Sequence, residues 1–166
     1  MSDEAVRRLW LMPPASGVMD DLDLSLLDPA DEDERQALLL AEHPELWEAI
    51  EDDLDEIVLD GRVMSPRLHL TLHEVVANQI WQNDPPEMWT TAQRLTDAGH
   101  DRHTVLHMLS GVVSKDIYDA MIGKASFDLK RTRHELDALP GSWHALGQPT
   151  PLNRAARRAH ARRRAR

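Results

Sequence analysis

Between residues 65 and 123 the chain carries helix start and stop signals so closely spaced that little room remains for connecting loops. Ser65-Pro66 pairs a preferred N-cap with the residue favoured at the first helical position. Asn83-Asp84-Pro85-Pro86 breaks that segment and restarts another, and Gly99 suits a left-handed cap. Asp101 is a fair N-cap for a third segment that ends at Gly123. The spacing predicts helices over about 66–81, 86–98 and 102–122. Links this short oblige successive helices to run antiparallel. The expected fold is therefore mainly all-α, an up-down-up helical bundle with disordered termini and one short β-hairpin.

The rest of the chain is arranged around that bundle. Two short helices are expected at about 32–41 and 44–53. Glu56-Ile57-Val58-Leu59 and Arg62-Val63-Met64 flank Asp60-Gly61, a dipeptide that suits a type I′ hairpin turn. A last helix over about 127–139 should stop at Pro140-Gly141, with Trp143 folding back onto the body. Residues 1–30 hold three prolines and no sustained hydrophobic period, so an extended arm is expected there. The expected division is an arm at 1–30, a helical domain at 31–147 and a basic tail at 148–166.

Two composition facts remove whole classes of chemistry. Zero cysteines exclude disulfides, thiolate metal sites and cysteine nucleophiles. No apolar run approaches the ~20 residues a membrane helix needs, and Pro13-Pro14 cut Leu9-Trp10-Leu11-Met12 too short for a signal sequence. A cytoplasmic protein without a membrane partner is expected.

The net charge of -10 conceals two opposed segments. Arg154, Arg157, Arg158, Arg162, Arg163, Arg164 and Arg166 crowd the last sixteen residues, which contain no acid. Removing those seven from the 19 basic residues leaves 12 against all 29 acids, or -17 for residues 1–150. Between Asp20 and Asp60 seventeen acids face a single Arg35, and a solvated acidic surface explains them. The arginine tail is a candidate for RNA or ribosome contact, with binding that falls steeply as salt rises. Its alternative role is to lie on an acidic surface.

The chemistry-bearing pattern is a pair of pairs. His69 and His73 sit at i and i+4 in the first bundle helix, and His103 and His107 repeat that spacing in the third. Each pair projects from one helix face. With the two helices parallel, His69 and His73 lie about 4.5 and 10.5 Å beyond Pro66, and His103 and His107 about 1.5 and 7.5 Å beyond Arg102. Four imidazoles can then converge on one divalent ion, and nitrogen ligands in a tetrahedral cage suit Zn²⁺ best. Glu74 and Asp101 are the nearest carboxylates in sequence, each a candidate outer partner or fourth ligand. The competing reading makes these histidines ordinary packing residues. His43, His100, His134, His144 and His160 are scattered and carry no expectation of a site.

Other motifs fail. His73-Glu74 lacks the second histidine of a zinc-protease helix, because Ala77 stands in its place. Neither a glycine-rich phosphate loop nor Gly-x-Ser-x-Gly occurs. The five tryptophans are widely spaced and read as packing anchors.

Several stretches together resemble a bacterial family designated domain of unknown function 1841, especially its actinobacterial branch. They are Pro66-Arg67-Leu68-His69-Leu70-Thr71-Leu72-His73-Glu74, Gln79, Asp84-Pro85-Pro86-Glu87, Gly99-His100-Asp101-Arg102-His103, His107-Met108-Leu109 and His43-Pro44-Glu45. The resemblance spans residues 28–143. Ser65 stands where family members usually have asparagine, a change that preserves helix capping. The resemblance supports the placement of both histidine pairs and implies no activity, cofactor or substrate. The leading expectation is a small metal-binding helical protein, structural or sensory. An interaction module acting through its arginine tail without metal, and a metal-dependent hydrolase, are the alternatives.

Overall fold

The structure, a computed structural model, describes residues 1–59, 62–123 and 128–145. Eight helices account for most of them: α1 (Asp3–Leu11), α2 (Glu32–Ala41), α3 (Trp47–Glu51), α4 (Pro66–Gln82), α5 (Pro86–Asp97), α6 (Arg102–Met121), α7 (Leu129–Asp137) and α8 (Gly141–Ala145). Strands β1 (Val18–Met19) and β2 (Leu22–Asp23) pair antiparallel, as do β3 (Ile57–Leu59) and β4 (Arg62–Met64). The Asp60-Gly61 turn, the start of the last expected helix at Phe127 and the whole arginine tail lie outside the described residues.

Of the three central helices, α4 and α6 begin at side-chain caps, and α5 begins at Pro85-Pro86 without one. Ser65 accepts from the Leu68 amide, and Asp101 from the Thr104 amide at 3.0 Å. Asn83 ends α4 in the left-handed conformation, which asparagine tolerates. α4, α5 and α6 pack against one another pairwise and bury Val76, Ile80, Ala92, Leu95, Leu106 and Leu109 completely. Arg133 meets Glu87 while Arg94 reaches the carbonyls of Leu136 and Leu139, so α5 and α7 run in the same direction. Lys115 meets Glu135 and Asp116 meets Thr132, so α6 runs against α7. Consequently α5 and α6 are antiparallel, as their short link requires. Trp143 of α8 packs over Gly111 with a ring carbon 3.4 Å from where a Cβ would stand.

The amino-terminal region departs from expectation. Residues 3–11 are helical rather than extended, and Leu11 and Met12 belong to the core. Arg7 lies on the buried face, where its guanidinium donates to the Trp81 carbonyl at 3.3 Å. Trp10 donates to Thr96, and Trp89 to Asp3, which seats α1 along α5. The β1–β2 hairpin was also not foreseen. Its turn uses Asp20 and Asp21 at positive φ, without the glycine that usually announces such a turn.

Candidate metal centre

α2 delivers the residue that sequence spacing overlooked. Arg35 bonds Asn78, and Gln36 bonds Glu74, so α2 descends along α4 in the opposite direction. That register brings His43, just beyond the end of α2, level with His69 and His73. The His43 ring centroid lies 5.1 Å from that of His69, 4.6 Å from His73 and 6.1 Å from His107. Expected to be an ordinary residue, His43 is instead fully buried at the middle of the cluster.

One ring nitrogen from each of His43, His69, His73 and His107 lies within 4.8 Å of all the others. Three of the four residues expected to form the site are therefore brought together. The fourth, His103, sits beside this group with its ring 4.5 Å from His107 and 4.8 Å from His43. Nitrogens at 2.0–2.1 Å from a tetrahedral ion stand about 3.3 Å apart, so small side-chain rotations close the cage.

Several ring nitrogens of the cluster are buried without a hydrogen-bond partner. Buried His43 Nε2, His107 Nε2 and both ring nitrogens of His73 have no hydrogen-bond partner. Leaving such a group unpaired costs about 1–3 kcal/mol each, a large fraction of a typical folding free energy of about 5–15 kcal/mol. His43 Nδ1 lies 2.9 Å from the Leu39 carbonyl, which can only accept, so Nδ1 carries the proton. The Nε2 lone pair is then left facing the other imidazoles. A backbone carbonyl holding one ring nitrogen is the usual way a metal-ligating histidine has its tautomer fixed.

Burial and mutual repulsion favour the neutral form of His69, His73, His103 and His107. Burial, with repulsion from neighbouring histidines, lowers the pKa of His69 to about 4 and that of His107 to about 3. His73 is pushed down further by the same causes. His103 falls to about 4 through burial, His43 and Arg102, with Asp101 opposing. Neutral imidazoles offer lone pairs to a cation.

No carboxylate joins the nitrogen group among the described residues. Glu74 accepts from Gln36 at 3.0 Å, and Asp101 is engaged with the amide and hydroxyl of Thr104. An ion pair between Glu42 and Arg102 joins the residues immediately before His43 and His103. Arg102 also donates to the Leu11 carbonyl at 2.9 Å, tying α1, α2 and α6 together at the rim of the cluster.

A family model described as domain of unknown function (DUF1841) matches residues 25–137, a span that contains all five clustered histidines. No curated protein and no solved structure matches the chain.

Proposed function

We propose that this chain, which belongs to the domain of unknown function DUF1841 family, binds one divalent ion through His43, His69, His73 and His107. Convergent imidazole nitrogens whose buried members lack any protein partner are the observation behind this reading. Four nitrogen donors and no thiolate or carboxylate fit Zn²⁺ best. A hydrolytic zinc site keeps one of its four positions for water, whereas four imidazoles occupy all of them. The donor count therefore favours a structural or sensory ion over a hydrolytic one. His73 and His107 lie on the two longest helices among the described residues, so an ion bridging them would clamp α4 to α6.

Elemental analysis of the full chain, purified without a metal-binding tag, tests the reading. About one zinc per chain is expected, with most of it lost from the His73→Ala/His107→Ala double variant. Protein without stoichiometric metal after growth in zinc-replete medium contradicts it.

A further inference from the structure

The cluster holds one imidazole more than a four-coordinate ion requires, and the five are unequal. His43 and His73 are sealed, at 0% and 1% exposure, whereas His69, His103 and His107 are half-buried. His103 alone falls outside the group of nitrogens within 4.8 Å of one another. Its ring nonetheless stays within reach of two members, 4.5 Å from His107 and 4.8 Å from His43. Its electrostatic setting also differs from that of the inner rings. It lies in the first turn of α6, where the helix dipole is positive, and follows Arg102 directly. Asp101 offsets part of that field.

We propose that His103 is the exchange ligand of the centre: it takes an incoming divalent ion at the mouth, passes it to the four inner imidazoles, and accepts it again on departure. This deepens the metal-binding reading and rests on it. An ion enclosed by four ligands leaves slowly when each bond must break before water replaces it. A fifth imidazole at the rim gives a stepwise route in which one nitrogen replaces another and the ion stays ligated. His103 is half-buried and keeps its ring 4.5 Å from that of His107. Such a route suits a protein that must acquire and release metal, so the reading assigns the site a sensory or buffering use rather than a purely structural one. No bond other than the coordinate bonds is made or broken, and the ion keeps its oxidation state.

The test loads the full chain with Zn²⁺ and follows transfer to an excess of a chromogenic chelator by stopped-flow absorbance. His103→Ala should retain one zinc per chain and lengthen the transfer half-time by about tenfold, equivalent to about 1.4 kcal/mol in the barrier. His103→Glu, which restores a ligating atom at the mouth, should recover most of the rate. A packing role for the imidazole would not be rescued by a carboxylate. Loss of stoichiometric zinc from a folded His103→Ala protein would overturn the proposal by making His103 a holding ligand. Unchanged transfer in His103→Ala, or slow transfer persisting in His103→Glu, would overturn it as well. Failure of the unmodified chain to bind zinc would instead defeat the underlying metal-binding reading, and is seen before any variant is compared.

Discussion

His73 is 1% exposed, yet neither ring nitrogen has a partner. In a metal-free core that arrangement is a cost, and an apolar residue of similar size would serve the fold better. His73→Leu should therefore raise the stability of the metal-free protein by about 1–2 kcal/mol. The same variant should abolish stabilisation by added zinc. Denaturant titrations with and without zinc read both effects. If His73→Leu instead destabilised the metal-free chain and left zinc without effect on either protein, His73 would be a packing residue. Among the other charged and polar side chains, Arg8 and Arg35 stack on Trp81 at 4.5 and 5.1 Å from the ring centroid. That contact gives Trp81 the anchoring role expected of it.

At the scale of elements, the site depends on where α2 ends and α6 begins. Arg102 secures both through Glu42 and the Leu11 carbonyl. Arg102→Ala should cost about 1.5–3 kcal/mol, the range for hydrogen bonds to charged groups, and should weaken zinc binding because His43 loses its support. An unchanged midpoint together with unchanged affinity would count against this coupling. Helices α4 to α6 were legible in the sequence because proline, glycine and N-cap residues mark their ends explicitly. The His69–His73 and His103–His107 pairs were legible because spacing within a helix fixes a shared face. His43 was not legible, because its place depends on how α2 packs against α4, and no local pattern encodes that register. Helix α1 is only nine residues long, too short to show a sustained period.

At the scale of the molecule, the histidine cluster links stability to pH. The folded-state pKa values of His69, His103 and His107 lie below the ordinary value of 6.5. Between that value and about 4, or about 3 for His107, the unfolded chain binds more protons than the folded one. Stability is thus full above about pH 6.5 and falls as the solution is acidified through this window. His69, His103 and His107, each half-buried, contribute less than the ~1.4 kcal/mol per pH unit of a fully buried group, because solvent screens them. Protons also compete with the ion, so zinc release should follow the same direction. Urea midpoints of the metal-free protein at pH 7, 6 and 5 should decline steadily, and a flat series would show that the cluster does not titrate on unfolding. None of the helices among the described residues is long and apolar enough to cross a membrane. The arginine tail, outside those residues, remains a proposal from composition: deleting residues 151–166 should abolish retention on immobilised RNA at low salt, and unaltered retention would remove the tail from any such role.

The proposed centre joins His43, just beyond the end of α2, with His69 and His73 of α4 and His107 of α6 on one ion. X-ray absorption at the zinc K-edge, recorded on the full chain with its zinc content measured in parallel, tests it. A first shell of four nitrogen scatterers at about 2.0–2.1 Å with the outer-shell scattering of imidazole is expected. His43→Ala should lower the imidazole count by one or lose the ion. A shell dominated by oxygen, without imidazole scattering, or a spectrum unaltered by His43→Ala, would contradict it.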